Sequence, residues 1–312
     1  MMTGTVNVTL VAAFNWPHRS LRRGVLLVLG ALLVPLSTGS VFGHGGYHER
    51  MAYLTAEVEK NPDDPLLYFE LGNLHGEHGD WELALQDLER VDALAPGKFL
   101  TDLARGNAGL VAGKFTQAKD ALDRQLVSHP ENARAWLFRA RAERQLGQDE
   151  ASLADFREAL KRTPSLDPDI VQEVADALAT QGHKDEAAQV LAAGIERLGK
   201  IPSLVLRAVE LDIAMKNIDA ALRRIEDVRR EAPRPEPWMA RRAMVLAQVG
   251  RIDESRQAWK ALAEHLDSLP ERERASAAMT NFAEETRQAL LSLKPISSAE
   301  QSSSSNPASS GQ

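Results

Sequence analysis

The chain has 312 residues, no cysteine and a formal charge of −7. The missing cysteine excludes disulfides, thiolate metal sites, a cysteine nucleophile and a lipid-modified cysteine at a mature N-terminus. The acidic balance argues against a nucleic-acid partner, whose phosphates need a basic face, and no basic amphipathic stretch suits an anionic membrane surface.

Residues 1–43 stand apart from the rest. They contain no Asp or Glu, and Arg19, Arg22 and Arg23 precede an apolar run from Gly24 to Leu36 and a polar break at Ser37–Ser40. Basic start, short apolar core and small-residue exit predict a secretory signal peptide, with cleavage after Gly43. The core is shorter than the roughly 20 residues that span a bilayer, so an uncleaved membrane anchor is the alternative. The expectation is therefore an exported protein, periplasmic or secreted, with a mature charge of −10. Residues 44–64 follow, with a lone helix over 48–59 that ends before Pro62.

From there the chain repeats. Pro62, Pro96, Pro130 and Pro164 are spaced by 34 residues, and Gly199 and Pro233 continue the series. A second series runs through Gly79, Gly113, Gly147, Gly182, Lys216 and Gly250. A third runs through Ala84, Ala118, Ser152, Ala187, Ala221 and Ser255. Within one unit, Leu67, Tyr68, Leu71 and Leu74 recur at helical spacing. Gly79-Asp80 breaks the pattern, since glycine permits the left-handed conformation that ends a helix. Trp81, Leu85, Leu88 and Val91 mark a second helix, and Pro96 cannot continue it. Small residues such as Gly72 and Ala84 let the two helices approach. The unit is an antiparallel helix pair that buries its apolar face only by stacking on its neighbours.

This unit resembles the tetratricopeptide repeat, a 34-residue helix–turn–helix. Repeat one carries the family's pattern in Tyr68, Leu71-Gly72, His75, Ala84, Leu88 and Pro96. Repeat two has Gly106, Ala118, Leu122 and Pro130; repeat three has Trp136, Ala140, Phe156, Ala159 and Pro164. Repeats four and five stay in phase through Ala175, Ala187, Leu191, Ala221, Ile225 and Pro233. Repeat six has Trp238, Ala243, Leu246, Gly250 and Trp259. The fold class expected is all-α, an α-solenoid of about six such repeats (65–98, 99–132, 133–166, 168–201, 202–235 and 236–269). A charged capping helix is expected within 270–294, and a disordered Ser-rich tail over 295–312.

The resemblance implies a non-catalytic scaffold or adapter that binds proteins or peptides in a concave groove lined by the first helices. The ninth residue of each unit would face that groove: Asn73, Asn107, Arg141, Asp176 and Glu210. Arg134 and Arg144 make its third unit basic. Asn offers a donor and an acceptor to a peptide backbone, and Arg offers a fork for a carboxylate. Phe69, Ala104 and Phe138 replace polar residues of the family's carboxylate-clamp subset, so the tail of a chaperone is not an implied ligand.

Histidine supplies an alternative function, Cu or Zn binding or delivery. Cleavage after Gly43 would expose His44 at the new terminus, and an antiparallel lone helix would bring His48 toward His75 and His78. Four nitrogen donors suit either ion, although no tight ligand motif accompanies them. Enzyme signatures are missing: Gly109 to Lys114 is one residue short of a phosphate loop and has Phe115 where Ser or Thr belongs.

Overall fold

The computed structural model describes residues 45–293. All regular structure there is helical, and among the described residues no helix is long and apolar enough to cross a membrane. The expected signal peptide, His44 and the tail over 295–312 lie outside the described residues. Among the described residues, the chain from Tyr47 onward forms one unit.

Helix α1 (Gly45–Lys60) precedes six hairpins. These are α2 (Pro65–His78) with α3 (Trp81–Leu94), α4 (Thr101–Val111) with α5 (Phe115–Ser128), and α6 (Ala133–Gln145) with α7 (Asp149–Arg162). They continue as α8 (Pro168–Thr180) with α9 (Lys184–Leu198), α10 (Pro202–Ala214) with α11 (Ile218–Glu231), and α12 (Glu236–Gln248) with α13 (Ile252–Ser268). Each first helix packs on its own second helix and on the second helix of the repeat before it. The six repeats and their boundaries follow the periodicity of the sequence.

The second and third sequence series have structural causes. Gly79, Gly113, Gly147, Gly182 and Gly250 have positive φ at the turns within the hairpins, a region that costs other residues their Cβ clearance. Lys216 takes the same place in repeat five and is the one non-glycine with positive φ among the described residues, at 63°. The small residues of the third series are fully or almost fully buried where the two helices cross. Where serine replaces alanine, its hydroxyl is satisfied locally: Ser152 Oγ donates to the Ala140 carbonyl and Ser255 Oγ to that of Ala243, both at 2.8 Å. The phosphate-loop-like glycines are explained by packing as well. Gly113 forms the turn, and a Cβ on Gly109 would lie 2.9 Å from Ala118 Cβ.

Two details depart from the expectation. The extra residue before repeat four is Asp167, which caps α8 by accepting a hydrogen bond from the Asp169 amide. The capping segment is not one helix. Glu271–Arg274 forms a single turn (α14), Ser276 caps a new start, and α15 runs over Ala277–Ser292. α15 packs on α13, and Arg256 donates twice to the Leu293 carbonyl, closing the stack. Thr286 is its one fully buried residue, which fits a solvent-facing end of a solenoid.

The core runs through the repeats as overlapping clusters, one from Leu122 to Leu211 and one from Val205 to Leu266. Contact is thinnest where repeat three meets repeat four, between α7 and α8. That junction is strapped instead by ion pairs, from Arg141 and Arg144 to Glu173 and from Arg157 to Glu186.

Two substitutions test this account by chemical denaturation. Lys216→Gly removes a left-handed non-glycine and should raise stability by about 0.5–1 kcal/mol. Ala118→Leu overfills a closed crossing and should lower it by about 1–3 kcal/mol.

Candidate binding face on the first helices

The first helices present two rows of side chains, at the sixth and ninth places of each repeat. The sixth-place row reads Glu70, Ala104, Phe138, Glu173, Arg207 and Arg241. The ninth-place row reads Asn73, Asn107, Arg141, Asp176, Glu210 and Met244. Three or four residues apart on a helix, the rows share one face.

In repeats three to five the rows neutralise each other across the repeat junctions. Arg141 of α6 reaches Glu173 of α8 through two nitrogens, at 2.7–3.2 Å, and Arg144 adds a contact at 3.1 Å. Asp176 of α8 pairs with Arg207 of α10, which also reaches Glu210 at 3.3 Å. The Arg207 guanidinium loses some solvation in this site, but the two carboxylates outweigh that and raise its pKa above the usual arginine value. Of the six residues expected to line the groove, Arg141, Asp176 and Glu210 are therefore engaged in internal pairs: Arg141 and Asp176 with the sixth place of the next repeat, and Glu210 with Arg207 of its own helix. Glu173 and Arg207, the partners in these rungs, were not singled out from the sequence. Their signal lies in the 34- or 35-residue spacing itself: the sixth-place charge is opposite to that of the preceding ninth place.

Repeats one and two present a different surface. Leu66, Leu100 and Val111 are 48%, 38% and 52% exposed. Leu66 and Phe69 are one turn apart on α2. Leu100, Leu103, Asn107 and Val111 follow the same spacing along α4. The Phe69 and Phe99 rings meet with centroids 5.1 Å apart. Asn73 donates its amide to the Phe69 carbonyl at 2.9 Å, which leaves its carbonyl oxygen available. Asn107, half-buried, has no hydrogen-bond partner among the described residues. Arg134 is exposed at the next helix and lies 5.6 Å over the Phe138 ring, with no carboxylate paired to it among the described residues. Asn73 and Asn107 thus lie on the two helices that carry the exposed apolar side chains, and Arg134 stands at the start of the helix that follows.

The histidine corner is built for packing. His75 Nδ1 lies 2.7 Å from a carboxylate oxygen of Asp87 within the first hairpin. Burial raises the Asp87 carboxyl above its ordinary pKa, against the opposing pull of His75. Tyr47 rests against both His48 and His78 and donates its hydroxyl to Asp80 at 3.3 Å. The described residues contain no group of three or more His, Asp or Glu placed to hold a metal ion. His75 thus hydrogen-bonds Asp87, and Tyr47 makes ring contacts with His48 and His78, while His44, the fourth expected donor, lies outside the described residues.

Residues 103–167, spanning repeats two and three, match the family model described as tetratricopeptide repeat. The second and third hairpins match the tetratricopeptide repeat, and the other four share their two-helix form. No curated protein matches the sequence. Among solved structures, the chain is similar to MamA 41-end from Desulfovibrio magneticus RS-1, at 20% identity over 49% of this chain and 86% of that one, with a TM-score of 0.42. It is similar to YrrB, described as a TPR protein with an unusual peptide-binding site, at 22% identity over 55% and 89%, with a TM-score of 0.44. A tetratricopeptide repeat protein from Parabacteroides merdae ATCC 43184 covers more of the chain, 78% against 93% of its own length, at 18% identity and a TM-score of 0.45.

Glu173→Gln tests the internal rungs. It should cost under about 1 kcal/mol, because the pairs are partly solvated. The difference from the parent should shrink as salt is raised, as read from denaturation midpoints in low and high salt.

Proposed function

We propose that this protein is a non-catalytic scaffold that holds an extended, largely apolar segment of a partner protein on the first-helix face of repeats one and two. The observation that carries the reading is the contrast along that face. Where repeats three to five spend their polar side chains on each other, repeats one and two leave Leu66, Leu100 and Val111 exposed beside an unpartnered Asn107. Exposed apolar side chains gain by burial against a ligand, at roughly 25 cal/mol per Å². Two amides on adjacent helices can read the backbone of an extended chain, and Arg134 beyond them suits an acidic group at one end of the ligand. The tetratricopeptide repeat architecture favours such a role, because stacked repeats provide long binding surfaces.

Panning a random peptide library against the full chain tests this. Peptides rich in apolar residues should be selected, and Leu66→Asp with Leu100→Asp should weaken their binding by at least tenfold, whereas Asp176→Asn should leave it nearly unchanged. Selection of no peptide, or equal loss with Asp176→Asn, would overturn the placement.

The same reading sets the protein to work outside the cytoplasm, periplasmic or secreted. Its support is the basic, acid-free start and the short apolar run of residues 1–43. Amino-terminal sequencing of the protein recovered from its own cells should begin at His44. A chain that keeps the apolar run would instead favour an anchored protein.

A further inference from the structure

Beneath the binding face, where repeat two meets repeat three, lies a half-hidden cluster of ionic side chains. Arg139 of α6 donates to Asp155 of α7 through two nitrogens, at 2.6 and 3.0 Å, and to Asp123 of α5 through the third, at 2.7 Å. Lys119 of α5 adds a bond to Asp123 at 2.9 Å. Glu143, one turn along α6 from Arg139, is 4% exposed, and its Oε2 is buried without a hydrogen-bond partner. The cluster thus contains three carboxyl groups and two cations, and both cations are committed to the two aspartates. Other charges on the elements around α6 are turned elsewhere: Arg105 of α4 binds Asp92 and Asp102, and Glu173 of α8 binds Arg141 and Arg144. A third carboxylate has no counter-charge there, and leaving a buried carboxylate without one costs far more than protonating it.

We propose that this junction is a proton-linked joint: it is closed while Glu143 carries a proton and loosens when that proton leaves. On ionisation the O–H bond of the Glu143 carboxyl breaks and the proton passes to solvent. The new carboxylate faces Asp155 with no donor to spare, and relief comes when α6 draws away from α5 and α7 and lets water in. Burial, and then the charge of Asp155, push the Glu143 carboxyl up to about 7, against the opposing pull of Arg139 and Lys119. The Asp123 carboxyl is also raised by burial, but its bonds to Lys119 and Arg139 outweigh that and hold it below the usual range.

The sign is fixed by which state binds the proton. The closed joint binds it more tightly than the opened joint, whose carboxyl has the ordinary value near 4.5. Closure is therefore fully favoured below about pH 4.5 and is lost progressively as pH rises to about 7, the opening constant growing by up to tenfold per unit. α6 also carries Arg134, Phe138 and Arg141 toward the first-helix face, so the joint would move one wall of the binding strip. That last consequence rests on the function proposed above, but the joint itself does not.

The test is amide hydrogen exchange of the full chain without ligand from pH 5 to 8, corrected for intrinsic exchange, together with infrared difference spectra over the same range. Protection in α5, α6 and α7 should fall with rising pH in the parent and stay level in Glu143→Gln, which copies the protonated group. The carbonyl band of a protonated carboxylic acid should titrate near 7 in the parent and be missing from the variant. Protection independent of pH in the parent, the same slope in both proteins, or an unchanged carboxylic acid band in Glu143→Gln would overturn the proposal. Because no ligand is present, a negative result here leaves the binding reading standing, and failure of peptide selection leaves the joint standing.

Discussion

The structure depends on how closely two helices pass at one crossing, repeated six times. An alanine or serine on the second helix is buried against the first, and almost no volume is left between them. At Gly106 the margin is smallest, since an added Cβ would fall 2.4 Å from Leu122 Cγ. This approach sets the tilt of each hairpin, and the tilt sets where the next one stacks. Close packing of this kind resists change at the level of single methyl groups. The two serines show how strict it is: a hydroxyl is accepted where a methyl belongs only because a carbonyl of the facing helix takes its proton.

Because the hairpins are held at a fixed spacing, side chains one repeat apart fall within bonding reach of each other, and the chain uses that in two ways. In repeats three to five it fills the face with opposite charges that bind each other. Such pairs contribute little to stability in water, but they occupy donors and acceptors that a ligand would otherwise need. In repeats one and two it places leucine, valine, phenylalanine and asparagine there, and Leu66, Leu100 and Val111 stay exposed among the described residues. Specificity along the face thus arises as much from what is already satisfied as from what is open.

The sequence disclosed the architecture because tandem repetition makes weak local signals additive: one Gly-Asp turn proves little, whereas a turn every 34 or 35 residues phases every helix. Lys216 was legible as a turn only through that phase, since lysine alone carries no such preference. The candidate site was legible in part. Asn73, Asn107 and Arg134 were placed on an open face by their position in the unit. Arg141 and Asp176 have partners that the sequence does not mark, because Glu173 and Arg207 lie one repeat further on and pair only once the stacking distance is known. The same limit hid Glu143, whose isolation comes from hydrogen bonds that Arg139 makes to Asp123 and Asp155. The partner of His75 is hidden differently: Asp87 lies within the same hairpin, on the second helix, and meets it only across the crossing.

The junction between repeats three and four has a mechanical meaning. Elsewhere neighbouring repeats share more helix-to-helix contact, although the apolar core from Leu122 to Leu211 passes through this junction too. Here contact between α7 and α8 is sparse, and the straps are the side chains of Arg141, Arg144 and Arg157 on two glutamates. Long side chains can swing and re-form bonds over several ångströms at little cost. The array therefore behaves as two stiffer springs in series with a softer coil between them. A pull along the stack lengthens that coil first, and the exposed strip on repeats one and two is spared the strain.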